Sequence, residues 1–306
     1  MMDANARDVT IATAAYPLDW FDSFAEFEAK AAQWVGNAAG AGAQLLVFPE
    51  YGAMELSTLE GSEVAGDLQA SIRAVSDRME AAAELHQKLA AEYGVHILGA
   101  SAPVEAGYDL PVNRAEFFSP TGQRGHQDKQ IMTMFERDPW RIGSGGPLKI
   151  FDTALGKIGI LICYDSEFPL LGRVLAEVDI ILVPSCTEAL AGYWRVRIGA
   201  MARALENQCV SVMSSTVGPA AWSEAVDMNT GMGGIFGPPD LGFPQTGVLA
   251  EGELNAPGQF LKVGVRQDLL FHRREGGQLD RIIRRIDRVE GILVLKLRRE
   301  HLQKGL

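Results

Sequence analysis

Short, almost wholly apolar runs recur along this chain, and each stops abruptly at a polar residue. Lys157-Ile158-Gly159-Ile160-Leu161-Ile162-Cys163 gives way to Tyr164-Asp165-Ser166-Glu167, and Leu45-Leu46-Val47-Phe48-Pro49 ends in Glu50. Runs of this length without polar alternation read as strands buried on both faces, which requires a sheet covered by other layers. A charged or nucleophilic side chain at the carboxyl end of such a strand is where layered α/β sheets place their chemistry.

Segments of helical period separate the strands. Val9–Tyr16 reads as a strand and Phe21–Ala39 as a helix stopped by Gly40, with Phe24, Phe27, Ala31, Trp34 and Val35 on one face. Gln44–Phe48 is a buried strand, Leu68–Tyr93 one long helix closed by Gly94, and Val95–Ser101 a further strand. Asn113–Ser119 and Gln123–Gln130 flank Pro120-Thr121-Gly122, a hairpin signal. Leu148–Asp152 and Lys157–Tyr164 pair around Ala154-Leu155-Gly156. A helix from Pro169 to Val178, a strand Asp179–Pro184, a helix Tyr193–Asn207 and a strand Gln208–Val217 follow. Beyond them lie a Gly/Pro-rich stretch, Asn229–Gly247, and a last strand, Phe260–Val265. No linker or internal repeat interrupts the series, so residues 1–265 read as one layered α/β domain.

The remainder, 266–306, is a basic extension. It has 11 Lys/Arg against 6 Asp/Glu, a net +5 in a chain of −11, and its segment Leu279–Val289 is amphipathic. It reads as a surface or oligomer-packing helix.

Charge and composition exclude several classes. An acidic chain of 306 residues with a pI near 5.0 is not a general nucleic-acid binder, which would show a basic face. Three cysteines, Cys163, Cys186 and Cys209, make no disulfide framework. Met1–Asp8 lacks an apolar signal segment, and no run is long enough to span a bilayer, so a cytoplasmic protein with no membrane partner is expected. The five histidines are scattered without zinc-ligand spacing, and Gly231-Met232-Gly233-Gly234 is no dinucleotide fingerprint.

Three residues stand out, each with a plain alternative. Cys163 is either a buried structural thiol or a nucleophile. Asp165 or Ser166 could cap a helix starting near Phe168-Pro169, which would put the thiol near a helix N-terminus, where the dipole favours thiolate. Cys186 and Cys209 lack that context and read as core. Glu50 is either a solvated loop residue or an acid at a strand end, with Glu55 and Glu60 farther along. Lys129, like Glu136, reads on residue type alone as a surface residue.

Together the segments resemble the nitrilase superfamily of carbon–nitrogen hydrolases. The matching pieces are Phe48-Pro49-Glu50-Tyr51, Asp128-Lys129, Gly159–Pro169, Val183-Pro184-Ser185 and Arg203-Ala204-Leu205-Glu206-Asn207, in family order and spanning roughly Val9 to Val265. Phe135-Glu136-Arg137, Pro184–Thr187, Gly192–Arg197 and Ala225–Gly231 extend the likeness to an amidase-like subgroup of hydrolases of unassigned reaction. The resemblance implies a four-layer αββα sandwich, usually assembled by pairing such sandwiches into a homodimer or higher homo-oligomer. It implies Cys163 as nucleophile, Glu50 as general base and Lys129 as stabiliser of the tetrahedral intermediate. The backbone N–H of Tyr164 would be a second oxyanion donor, and Glu136 the extra glutamate that positions substrate in amidase-type members.

That set suits hydrolysis of a non-peptide C–N bond in a small linear amide through a cysteine thioester, with no cofactor. Members that cleave nitriles usually carry Trp-Glu after the cysteine; Tyr164-Asp165 resembles the amidase form, with nitrile hydrolysis as the alternative. Tyr51, Trp140, Tyr164 and Trp194 are candidates to line the pocket, though aromatics are commonly core. Arg195 and Arg197 could hold a substrate carboxylate or lie on a helix surface. His126 sits three residues before Lys129, on the opposite strand face, which argues against a Cys–His pair. A non-catalytic redox sensor or scaffold would need Cys163 but neither Glu50 nor Lys129.

Overall fold

The computed structural model describes residues 8–256 and 259–266. The basic extension expected from Arg266, with Leu279–Val289, lies beyond Arg266 itself outside the described residues.

In chain order the elements are β1 (Asp8–Pro17), α1 (Phe24–Gly40), β2 (Leu45–Val47), a 3₁₀ segment Gly52–Glu60, α2 (Ser62–Gly66), α3 (Leu68–Ser76) and α4 (Met79–Tyr93). Then come β3 (His96–Leu98), β4 (Ala102–Val104), β5 (Val112–Phe118), β6 (Arg124–Asp128), α5 (Met134–Arg137), β7 (Ile150–Thr153) and β8 (Gly156–Ile160). A 3₁₀ turn Cys163–Glu167 leads to α6 (Pro169–Val174), β9 (Ile180–Ser185), α7 (Leu190–Asn207) and β10 (Val210–Pro219). β11 (Met228–Asn229), β12 (Gly234–Phe236), β13 (Val248–Glu251) and β14 (Gln259–Arg266) complete the series.

The strands run in the order β4-β5-β3-β2-β1-β10-β9-β8-β7, and the fold is a four-layer αββα sandwich. β3, β2, β1, β10, β9 and β8 pair in parallel; β4, β5, β6 and β7 add antiparallel edges. Alternate residues of each central strand enter two different cores. Leu46, Ile97 and Phe118 pack with Phe27, Trp34, Val35 and Leu89 of the helical layer. Their neighbours Leu45, Leu98 and Phe117 join Ile160, Ile180 and Val212 of the strands on the other side. Both faces of these strands are therefore dry, which is why their sequences lack polar alternation.

Two expectations about elements are corrected. The helix expected over Leu68–Tyr93 is broken into α3 and α4 at Asp77-Arg78. Propensity sees an unbroken helical composition, but the two pieces lie against different neighbours, the 3₁₀ segment and α1. The Gly/Pro-rich stretch Asn229–Gly247 contains β12, because pairing with β10 overrides its poor strand propensity.

The 3₁₀ segment after Glu50 is anchored by a buried ionic knot. Glu55 accepts from the Tyr16 hydroxyl at 2.9 Å and from the Asp19 N–H at 2.6 Å, and it pairs with Lys30. Burial raises the Glu55 carboxyl to about 7, although Lys30 pulls the other way. A carboxyl raised in the folded state stabilises the fold below its unfolded pKa and loses that contribution as pH climbs through the folded value. Removing Lys30 widens the gap. Lys30→Met should cost about 3 kcal/mol near pH ~8, where Glu55 must either stay an unpaired buried anion or take a proton from a solution poor in them, and far less near pH ~5, where it is protonated. Urea titrations at the two pH values check this, and equal losses at both would contradict it.

Candidate active site

Glu50 follows β2, Lys129 follows β6, Cys163 follows β8 and Cys186 follows β9. β2, β8 and β9 belong to the parallel set, and β6 runs the same way because it is twice reversed from β3. All four carboxyl ends therefore open on one edge of the layers. Two of the connecting residues adopt the left-handed backbone region without being glycine, Tyr51 at φ 55° and Cys163 at φ 48°. That conformation is costly for a side-chain-bearing residue and persists only where its surroundings enforce it.

The surroundings are visible at Cys163. Ser166 Oγ donates to the Cys163 carbonyl at 2.7 Å, and Arg203 of α7 donates to the Ser166 carbonyl at 2.8 Å. A Cβ on Gly199 would lie 2.8 Å from that same carbonyl, so α7 reaches the turn only with glycine there. Asn207 Nδ2 donates to the Gly172 carbonyl at 2.9 Å and fastens α6. The buried carboxylate of Asp165 accepts from the N–H groups of Gln130 at 3.1 Å and Ile131 at 2.8 Å. One turn thus fixes both the thiol and the segment just after Lys129.

Lys129 Nζ is the hub. It donates to Glu50 Oε1 at 2.7 Å and to the two oxygens of Glu136 at 2.7 and 2.8 Å. Lys129 and Glu50 are each 1% exposed, and Cys163 is 4% exposed. Glu136 also accepts from the Tyr51 hydroxyl at 2.7 Å and the Thr133 N–H at 2.8 Å. Glu50 accepts from Asn113 Nδ2 on Oε1 and from the Cys186 N–H on Oε2, both at 2.9 Å. The Cys163 thiol donates to the Cys186 carbonyl oxygen at 3.8 Å, and the Glu50 carboxyl acts on it electrostatically.

The electrostatics follow from one cation facing two carboxylates in a dry site. Burial raises Glu50, and the Glu136 charge adds to it, with Lys129 opposing. Burial also disfavours the Lys129 ammonium, but Glu136 and Glu50 outweigh it, so its pKa lies well above the usual value. Glu136 is desolvated too, yet Lys129 and Tyr51 hold it below the ordinary carboxylate range. Burial and the Glu50 charge raise Cys163 well above an ordinary thiol. At rest, then, the sulfur keeps its proton, and Glu50 beside it has a raised proton affinity.

The expected thiolate from a helix dipole is corrected here. α6 begins only at Pro169, is six residues long and has no side-chain cap, and Asp165 is engaged with Gln130 and Ile131 instead. Cys186 is corrected as well. It is half-buried rather than core, and its backbone contacts both Glu50 and Cys163, while burial raises its thiol to about 12. Cys209 is buried as expected.

The other anticipated residues fall into two groups. Tyr51 and Glu136 belong to the cluster, with Trp140 behind Tyr51 at a ring distance of 4.5 Å. Tyr164 follows the thiol, its ring edge-on to Phe168, and its N–H lies among the first of a 3₁₀ turn, which have no acceptor within the turn. Trp194 is half exposed on α7, and its ring contacts are Tyr193 and Arg197 rather than the cluster. Arg197 is tied to Tyr193 and Glu251, and Arg195 pairs with Glu167. His126 faces Lys149, away from the site. Asn113 and the Cys186 N–H were missed. A strand-end asparagine and a backbone amide give no pattern of their own, though Asn113 opens the strand whose hairpin partner leads to Lys129.

Two surface grooves, of about 440 and 520 Å³, are lined by residues outside this cluster. Among the described residues no group of three or more His, Cys, Asp and Glu could hold a metal, and no helix is long and apolar enough to cross a membrane.

Comparison with known proteins gives the same placement. The carbon–nitrogen hydrolase family model matches residues 10–235. The chain belongs to the carbon–nitrogen hydrolase family. Within this nitrilase superfamily it is 36% identical over 277 residues to "Probable hydrolase YhcX" of Bacillus subtilis, covering 89% of this chain and 53% of that one. The chain spans about half the length of the first curated relatives it matches. In structure it resembles Nit3 of Saccharomyces cerevisiae, with a TM-score of 0.68 at 19% identity over 89% of this chain and 95% of that one. It also resembles a mutant amidase from Nesterenkonia sp. AN1 with the acetamide moiety of fluoroacetamide added covalently to its active-site cysteine. There the TM-score is 0.63 at 20% identity, over 90% and 97% of the two chains.

The geometry predicts a signed response to Glu136→Gln. This substitution keeps the size but removes an anion that opposes ionisation of Glu50. The rise of Cys163 alkylation by iodoacetamide should begin at lower pH than in the unaltered protein, read by mass spectrometry. An unmoved profile would mean that the two carboxylates are not coupled.

Proposed function

We propose that this carbon–nitrogen hydrolase cleaves a small linear amide through a thioester on Cys163, with Glu50 as general base and acid and Lys129 as oxyanion donor. The observation that carries the reading is the buried Glu50–Lys129–Glu136 cluster, electrostatically coupled to the thiol, with Glu50 and Cys163 both held at the Cys186 backbone. A sensor cysteine would have no use for that arrangement.

In the first step the Cys163 proton passes to Glu50 as sulfur bonds to the amide carbon and the carbonyl electrons move to oxygen. An ammonium has three donors. At rest Glu50 takes one and the two Glu136 oxygens take the others, so the oxyanion draws one of these away from Glu136, beside the Tyr164 N–H. Each such donor contributes about 3–4 kcal/mol when aimed at developing charge. The C–N bond breaks, and the Glu50 proton leaves with ammonia or the amine. Glu50 then deprotonates a water that attacks the thioester; the C–S bond breaks, a carboxylic acid departs and the thiol is restored. Glu136 has its acceptors filled by Lys129, Tyr51 and Thr133, so its support to substrate runs through the ammonium. Relatives named amidase support amides, and the nitrilases among the curated relatives keep nitrile hydrolysis as the alternative.

Incubation with a panel of small primary amides should give an adduct on Cys163 equal to the substrate less ammonia, and Cys163→Ala should abolish both adduct and turnover. Retained turnover in that variant would refute the reading. Equal acid release from matched nitriles, with no release from amides, would favour nitrile hydrolysis.

Assembly as a homo-oligomer is part of the same proposal. It is supported by exposed Leu170 and Val174 on α6 and by Leu190, Ile198 and Leu205 on α7. Ile198→Glu should lower the mass seen by sedimentation equilibrium. A monomer in the unaltered protein would end this part.

A further inference from the structure

We infer that Asn113 is a positioning residue that assigns the transferable proton to Oε2 of Glu50. The inference rests on the proposed role of Glu50 and deepens it.

A carboxylate oxygen has two lone pairs to offer. Oε1 of Glu50 has both occupied, by Asn113 Nδ2 at 2.9 Å and by Lys129 Nζ at 2.7 Å. Oε2 has one, taken by the Cys186 N–H at 2.9 Å. By valence, the thiol proton can be received on Oε2 without breaking a bond. A proton on Oε1 would meet two donors instead, one of them an ammonium that cannot accept.

The Asn113 side chain is oriented for this and little else. It is fully buried, and its Oδ1 has no hydrogen-bond partner among the described residues. Leaving a buried acceptor unpaired is costly. Only the Glu50 contact explains why Nδ2 faces the carboxylate, since the amide orientation follows from hydrogen bonding. The backbone reinforces the placement, because the Asn113 carbonyl accepts from the Lys129 N–H at 2.9 Å. One residue thus registers the base against the ammonium that shares its oxygen.

The charged and titratable groups facing Glu50 come from every element at the strand ends. They are Lys129 after β6, Glu136 of α5, Cys163 and Asp165 of the turn after β8, Cys186 after β9, and Tyr51. Loss of a donor to the ionised form raises a carboxyl. Asn113→Leu, similar in volume, should therefore shift the midpoint of Cys163 alkylation by iodoacetamide upward by about one pH unit, opposite in sign to Glu136→Gln. On the rising limb below the midpoint the alkylation rate should fall roughly tenfold.

The readout is site-resolved mass spectrometry across pH, with circular dichroism to verify folding. Asn113→Asp, isosteric and able to donate only when protonated, serves if the leucine variant does not fold, and the same upward shift is expected. Glu50→Gln is the companion measurement. If it abolishes the pH-dependent step while both Asn113 variants leave the midpoint unmoved, the inference about Asn113 is wrong and the role of Glu50 stands. If Glu50→Gln leaves the step intact, the proposed base itself is wrong.

Discussion

A lysine ammonium buried between two carboxylates governs this molecule. Lys129 is almost wholly shielded from water, and so are both of its partners. Taken singly, each ion would be expelled from such a place or neutralised, because desolvation costs several kcal/mol per ion. Together they persist with one negative charge in excess. Burial raises Glu50, and that surplus adds to it. Burial and the Glu50 charge likewise keep the thiol of Cys163 protonated. The unusual ionisation of the site thus comes from counting charges in a dry pocket.

Holding such a cluster demands rigidity, and the layers supply it. Strands dry on both faces cannot slide without exposing one core or the other. Their carboxyl ends deliver Glu50, Lys129, Cys163 and the Cys186 amide to one edge. Around them, Arg203, Ser166 and the close approach of Gly199 hold a cysteine in a left-handed backbone conformation. Asp165 then ties the Cys163 turn to the loop that carries Lys129. These residues stand outside the charged cluster, yet they fix the turn that carries Cys163 beside it.

Several site residues were legible in the chain before any fold was known. Apolar runs that end in Glu50 and Cys163 declare buried strands with functional tips, and the order of the segments around Lys129 resembles one family closely. Lys129 alone would have passed for a surface lysine, because the residue type says nothing about which partners will surround it. Glu136 was equally silent in isolation. The thiolate inferred from a following helix was wrong for a physical reason. The helix is too short and too distant, and burial beside Glu50 dominates the titration of the thiol.

What the chain determined by itself is local: which runs are apolar enough to be covered on both faces, where they stop, and which reactive side chains stand at the stops. Only the tertiary structure decided the ionisation. Desolvation and the pairing of Lys129 with Glu50 and Glu136 arise between residues 79 and 7 positions apart, and the contacts of Asn113 and the Cys186 amide with Glu50 span 63 and 136 positions. Electrostatic energy depends on distance and on the water excluded from the space between charges, and neither exists until the layers close.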